Sequence, residues 1–214
     1  MPHFPLLTLS SVSDRFNGRL AKRLIDLTGS ALLLVVFSPL LLGVSLVLLV
    51  AQGRPLFYVQ ARGGQAGRPF RAFKFRTMER DAHVRRREIE HLNERVGPVF
   101  KVADDPRITP IGRWLRKTSI DELPQLLNVV RGEMSLVGPR PQPVEEIEAY
   151  DFWHRRRLSM KPGITGLWQV RARNDPSFEQ WMALDLEYID HWSLWLDVMI
   201  LFQTPISIVR SPGT

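Results

Sequence analysis

Charge disappears from the chain between Leu27 and Gln52, and the centre of that interval, Ala31 to Val50, is almost wholly apolar. About 20 such residues suffice to cross the hydrocarbon of a bilayer as a helix. The segment is therefore read as a membrane helix. Its apolar stretch is too long and starts too late for a cleaved signal peptide, and no convincing small-x-small site follows it. Basic residues flank it on both sides: Arg15, Arg19, Lys22 and Arg23 before, and Arg54, Arg62, Arg68, Arg71, Lys74 and Arg76 after. Positive segments favour the cytoplasm, so a straight crossing puts one basic flank on the wrong side, whereas a hairpin that enters and leaves one face does not. Pro39 lies mid-segment, where it cannot donate to the Val35 carbonyl, and the Ser38 hydroxyl is placed to satisfy a freed backbone group. Sequence physics leaves a re-entrant hairpin and a kinked spanning helix both open.

Beyond the membrane segment the apolar runs shorten. Pro55 to Phe57 and Phe70 to Met78, separated by Gly63, Gly64, Gly67 and Pro69, predict strands around a turn. Glu79 to Arg95 is densely charged, with Ile89 and Leu92 as a thin apolar edge, which predicts a solvated helix. Helices are predicted near Pro110 to Arg116 and from about Ser119. Trp192, Trp195, Leu196 and Met199 share a helical face, as either core or a stripe lying flat at a bilayer surface. With no repeat and no low-complexity linker, the expected division is an N-terminal segment (1–20), a membrane hairpin (21–53) and one catalytic unit (54–214). The fold class is α+β, mainly helical.

Composition narrows the chemistry. The 214 residues carry 29 Lys plus Arg against 22 Asp plus Glu, a net +7, so an anionic partner is expected: nucleic acid, acidic membrane or a phosphorylated substrate. Nucleic acid fits least, because many cations are interleaved with Glu88, Glu90 and Glu94 instead of forming one stripe. Cysteine is absent, which excludes disulfides, thiolate nucleophiles and Cys-ligated zinc.

Two adjacent carboxylates, Asp121 and Glu122, follow the cations Arg113, Arg116 and Lys117. Ser119 and Glu122 fit a capping box, with Asp121 at the positive end of a helix. The same Asp121, held ionised beside cations that attract phosphates, also fits a nucleophile or metal ligand. Lys74 between Phe73 and Phe75, and Arg140 between Pro139 and Pro141, have stiff surroundings that suit phosphate recognition or a surface ion pair.

Taken together, these stretches resemble the monotopic phosphoglycosyl transferases, bacterial sugar transferases that begin glycan assembly on a lipid carrier. The resemblance runs in order through Lys22-Arg23-Leu24-Ile25-Asp26, Ser38-Pro39, Phe73-Lys74-Phe75-Arg76-Thr77-Met78 and Ser119-Ile120-Asp121-Glu122-Leu123-Pro124 to Asn128. It continues through Gly132 to Pro141 and Lys161-Pro162-Gly163-Ile164-Thr165-Gly166-Leu167-Trp168-Gln169-Val170. Six elements in register over roughly residues 20 to 205 are far more specific than one motif. The resemblance implies a re-entrant helix broken at Ser38-Pro39, interfacial amphipathic helices around a small cytoplasmic core, and an active site on the cytoplasmic face of the bacterial inner membrane. It implies Asp121 and Glu122 as the catalytic pair and magnesium site, and Lys74, Arg116 and Arg140 as phosphate ligands. Gln169 and Arg173 fall in a segment linked to nucleotide binding, though Ala172 stands where many relatives have Gly. The implied reaction moves a hexose 1-phosphate, galactose or glucose, from a UDP-sugar to undecaprenyl or another polyprenyl phosphate in an anionic membrane and releases UMP. The sugar class follows from the long insert containing Gly97-Pro98-Val99-Phe100-Lys101; the additional N-terminal membrane domain common in such relatives is not expected here. A non-catalytic scaffold is the alternative function, and a homodimer is an open assembly.

Overall fold

The computed structural model describes residues 12–82, 84–92, 102, 104–173, 175 and 177–213. The insert at Gly97 to Lys101 therefore lies outside the described residues. The architecture is mainly helical, and helix α1 (Val12–Gln52) dominates it. Its apolar run is long and apolar enough to cross a membrane. Leu32, Val35, Leu42, Leu46 and Val50 project outward, as expected of side chains facing lipid. Helical assignment continues through Ser38 and Pro39, so the expected break does not interrupt the helix. At this position the Ser38 hydroxyl donates to the Val35 carbonyl at 2.8 Å, the acceptor that Pro39 cannot serve.

Strands β1 (Phe57–Gly63) and β2 (Pro69–Phe75) form an antiparallel hairpin with Tyr58 opposite Lys74 and Arg62 opposite Phe70. Each strand is displaced from its sequence expectation, because pairing with the partner edge sets the ends. The charged stretch forms a 3-10 segment, Val84–Leu92, instead of a regular helix; Ile89 is buried as its apolar anchor. Helix α2 (Pro110–Lys117) follows, capped by the Thr109 hydroxyl accepting from the Gly112 N–H at 3.0 Å. A 3-10 turn, Ile120–Gln125, leads into α3 (Leu126–Arg131).

The chain then threads β3 (Ser135–Val137), α4 (Val144–Glu148), β4 (Gly163–Thr165) and α5 (Leu167–Arg171). It finishes with α6 (Phe178–Asp190) and α7 (Leu194–Arg210). β3 and β4 pair in parallel. Their ends approach backbone to backbone: a Cβ on Gly163 would lie 2.1 Å from the Gly138 nitrogen, and one on Gly166 2.3 Å from the Gly138 oxygen. Only glycine fits there, and the approach fixes the start of the Pro139-Arg140-Pro141 loop. The main core joins Phe70, Val129, Met134, Val137, Trp168, Trp181, Tyr188 and Ile200; a second cluster packs Val44 and Leu48 of α1 on Phe75 and Leu115.

Both ends of α1 are fastened to this body. Lys22 bridges to Asp197 at 2.6 Å and donates to Val137 O at 3.0 Å, while Asp26 accepts from the Ser135 hydroxyl and the Leu136 N–H, both at 2.9 Å. At the other end Gln52 donates to the Thr109 hydroxyl at 2.8 Å, and Arg76 caps the last carbonyls, Gln52 O at 2.7 Å and Gly53 O at 2.9 Å. The aromatic face expected near the C-terminus divides in two. Trp192 and Leu196 pack on the core, whereas Trp195, Met199, Phe202, Ile206 and Val209 form an outward stripe on α7.

Candidate active site

Hairpin, 3-10 turn and proline loop converge on Glu122. Lys74, near the end of β2, reaches Glu122 Oε1 at 2.6 Å. Arg140 forks onto the same carboxylate, with Nη2 to Oε1 at 2.6 Å and Nη1 to Oε2 at 3.2 Å. Two cations thus share one acid, and the bidentate geometry fixes the guanidinium plane. Burial acts to raise the Glu122 carboxyl, but Arg140 and Lys74 outweigh it and hold the group well below the ordinary carboxylate range.

Asp121 is 7% exposed and forms no hydrogen bond through its carboxylate among the described residues. Burial pushes it up to about 6, aided by the neighbouring Glu122 charge and opposed by Lys74, Arg116 and Arg140. One carboxylate is therefore saturated by cations and the other left uncommitted among them. Local backbone produces this difference. Ser119 adopts a left-handed conformation, φ 58°, and its side chain caps nothing; the capping box expected from Ser119 and Glu122 does not form, because Glu122 turns to Lys74 and Arg140. The Ser119 hydroxyl accepts instead from Arg173 at 2.5 Å.

Arg116 leaves the last turn of α2 and donates to the Thr77 hydroxyl at 2.9 Å, within electrostatic reach of Asp121. The expected residues Lys74, Arg116, Asp121, Glu122, Arg140 and Arg173 are thus gathered in one place. Gln169 is not linked to them by a hydrogen bond: it is buried, and its amide nitrogen donates to the carbonyl of Ile164, within β4, at 3.0 Å. Ser38 and Pro39 belong to α1 and take no part in the cluster.

Sequence reasoning passed over two further cations beside Arg140. Arg157 is buried and donates to Arg140 O at 2.8 Å; Arg62 donates to Pro141 O at 3.0 Å. Neither sits in a stiff local motif, so the available signal was only the basic run Arg155-Arg156-Arg157 and the glycine turn after Arg62.

As for metal, no group of three or more His, Asp or Glu side chains able to hold an ion is present among the described residues. Two adjacent carboxylates nonetheless suit a hard cation such as magnesium, which takes one or two protein oxygens and completes its shell with water and substrate phosphate. Asp121 has the free oxygens for that task.

The family model described as bacterial sugar transferase matches residues 17–211, a span that includes most of α1, the hairpin and every residue of the cluster. The chain belongs to this family. A galactosyl transferase, CpsE, of Streptococcus agalactiae is 44% identical across 98% of this chain and 47% of its own length. The exopolysaccharide production protein ExoY of Rhizobium meliloti is 41% identical over 92% of this chain and 89% of its own. A UDP-glucose:undecaprenyl-phosphate glucose-1-phosphate transferase of Caulobacter vibrioides is 40% identical over 90% of this chain and 71% of its own. This bacterial sugar transferase chain thus spans about half of the streptococcal relative and most of the rhizobial one.

Proposed function

We propose that this chain transfers a hexose 1-phosphate from a UDP-sugar to undecaprenyl phosphate or a similar polyprenyl phosphate, with release of UMP. The observation that carries the reading is the pair of neighbouring acids in opposite states: Glu122 neutralised by Lys74 and Arg140, Asp121 free beside them. An uncommitted carboxylate among cations is what covalent phosphoryl transfer needs, since the cations offset charge on the phosphate while the acid attacks. The relatives' names supply donor, acceptor and the galactose or glucose class.

In this mechanism Asp121 bonds to the sugar-linked phosphorus, the phosphorus–oxygen bond to the α-phosphate breaks, and UMP departs with that oxygen. An oxygen of the polyprenyl phosphate then attacks the same phosphorus, which releases the Asp121 carboxylate and leaves a polyprenyl diphosphate sugar. Arg140, Lys74 and Arg116 hold the donor phosphates, and Arg173 closes the cluster beside Ser119. Glu122 keeps Lys74 and Arg140 aimed until phosphate replaces it. Magnesium, held by Asp121 with Glu122 beside it, would add charge neutralisation on the pyrophosphate.

The acceptor phosphate stays at headgroup depth, so the site must too. Thirty residues separate Lys22 from Gln52, about 45 Å of helix, longer than the roughly 30 Å hydrocarbon layer. A straight crossing would place those ends on opposite faces, yet both are bonded to one charged body. That fastening supports a helix that enters and returns on the cytoplasmic side of the inner membrane, bending where Ser38 relieves Pro39. The test is UMP formation from UDP-galactose and UDP-glucose in membranes containing undecaprenyl phosphate. No UMP from any UDP-hexose with wild type, or undiminished UMP with Asp121→Asn, would overturn the proposal.

A further inference from the structure

The loop that carries Arg140 has little means of holding its own shape. Pro139, Pro141 and Pro143 have no N–H, so few backbone donors exist to close turns within it. The four consecutive carbonyls from Pro139 to Gln142 are all engaged from outside the loop, two from the end of β1 and two from the stretch 157–163. Pro139 O accepts from the Gly163 N–H at 2.9 Å and Gln142 O from the Gly63 N–H at 3.0 Å. Between them Arg140 O accepts from Arg157 at 2.8 Å, and Pro141 O from Arg62 at 3.0 Å.

The two arginines are themselves held. Arg157 is buried, pairs with the equally buried Asp185, and donates to the Tyr150 hydroxyl at 2.7 Å. Arg62 donates through its other nitrogen to Gln60 Oε1 at 2.6 Å. Burial, then the nearby Arg140 charge, lower Arg62 to about 10, so it remains cationic at neutral pH. For Arg62 the neighbouring Arg140 charge is unfavourable, which makes a purely stabilising role a poor account of its placement, whereas for Arg157 the Asp185 carboxylate and the Tyr150 hydroxyl outweigh burial and raise the group.

We infer that Arg62 and Arg157 are positioning residues that clamp the carbonyls on either side of the Arg140–Pro141 bond and so aim the Arg140 fork at the donor phosphates. The inference rests on the function proposed above and extends it to groups outside the phosphate-binding cluster. A guanidinium plane must meet phosphate oxygens within a narrow geometry, and misplacement of about 1 Å can cost roughly 100-fold in rate. Asp185, Tyr150 and Gln60 contribute by fixing the clamps.

A double-mutant cycle on the full chain in lipid nanodiscs tests this. Arg157→Met alone would leave Asp185 buried and unpaired, so it is combined with Asp185→Leu; replacing both members of a buried pair is often tolerated. Arg62→Gln is the second, independent variant, with Arg62→Lys as a partial rescue. Each is measured with Arg140 intact and in an Arg140→Gln background. The expected result is a loss of roughly 10- to 100-fold in UMP release with Arg140 present, and less than about threefold once Arg140 is gone, because nothing remains to be aimed. Equal losses in both backgrounds, or activity within about twofold of wild type, would overturn the clamp. UDP affinity by calorimetry is the second readout. If UDP-hexoses yield no UMP but the same non-additivity appears in UDP binding, the transfer reading falls and the clamp stands; if wild type neither turns over nor binds UDP, both fall.

Discussion

At the scale of the residue, Asp121 and Glu122 are chemically almost the same and differ in what surrounds each carboxylate. Burial raises Asp121 to about 6, above its unfolded range, while Arg140 and Lys74 pull Glu122 far the other way. In the proposed mechanism the attacking form is the anion, so kcat/KM at low magnesium should fall as pH drops through about 6. A bound cation favours that anion, so raising magnesium should move this limb to lower pH; a limb that magnesium leaves in place would remove Asp121 from the metal site. The linkage runs opposite to that of a salt-bridged acid. With a raised folded-state pKa, the unfolded chain loses its proton first, so this group's contribution falls as pH climbs from its ordinary value of 3.8 toward about 6. Asp121→Asn removes that penalty, and should abolish transfer by at least ~1,000-fold while unfolding no earlier than wild type at pH 8 in a thermal scan. Earlier unfolding would assign the lost activity to damage instead of chemistry. Lys74, Asp121, Glu122 and Arg140 were legible in the sequence because rigid or like-charged neighbours mark them. Arg62 and Arg157 were not, because the groups they hold lie 79 and 17 positions along the chain. Gln169 drew attention for its motif; its amide nitrogen is bonded to the Ile164 carbonyl within β4.

At the scale of the element, periodicity exposed α1, the hairpin and α2, since each follows from local apolar spacing or turn chemistry. It misjudged the charged stretch and the turn after Thr118, where tertiary partners override propensity: Ile89 is drawn into the body, and Ser119 takes a left-handed φ that no capping pattern reveals. The direction of α1 in the bilayer is the element-level question with the largest functional consequence. Because the chain has no cysteine, single cysteines at Arg19 and Gln65 can be introduced without background. In sealed inner-membrane vesicles of known orientation both should react with a membrane-impermeant maleimide from the cytoplasmic side. Labelling of the two from opposite sides would establish a crossing helix and discard the re-entrant reading. Packing inside the body is tested separately by Gly112→Ala. Its Cβ would lie 1.9 Å from the Thr77 carbonyl oxygen, a backbone atom that cannot turn away, so the variant should unfold at visibly lower temperature. It should also lose the Arg116–Thr77 bond and hence activity, since Thr77 must shift.

At the scale of the whole molecule, α1 is joined to the first turn of α7 through Lys22 and the buried Asp197. Trp192 packs near Gly18, and Lys22 is shared between Asp197 and the end of β3, three residues before Arg140. One polar junction thus connects the long apolar helix, the C-terminal helix and the strand that leads to the Arg140 loop. The exposed stripe of α7 includes Trp195 at 68% and Phe202 at 76% exposure, a composition suited to the headgroup boundary. If that stripe sets the depth of the site, weakening it should affect the lipid substrate and spare the soluble one. Burying a phenylalanine side chain is worth about 1.5–3 kcal/mol, or roughly 10- to 100-fold in an equilibrium. Phe202→Asp should therefore raise KM for undecaprenyl phosphate in vesicles by about that factor, with the protein still retained by α1. The same variant should release UMP in a single turnover without acceptor at the wild-type rate, and should use a short-chain acceptor in detergent within about twofold of wild type. Equal losses on all three substrates would show that Phe202 supports the fold, and would detach α7 from the account of how a soluble donor and a lipid acceptor reach one carboxylate.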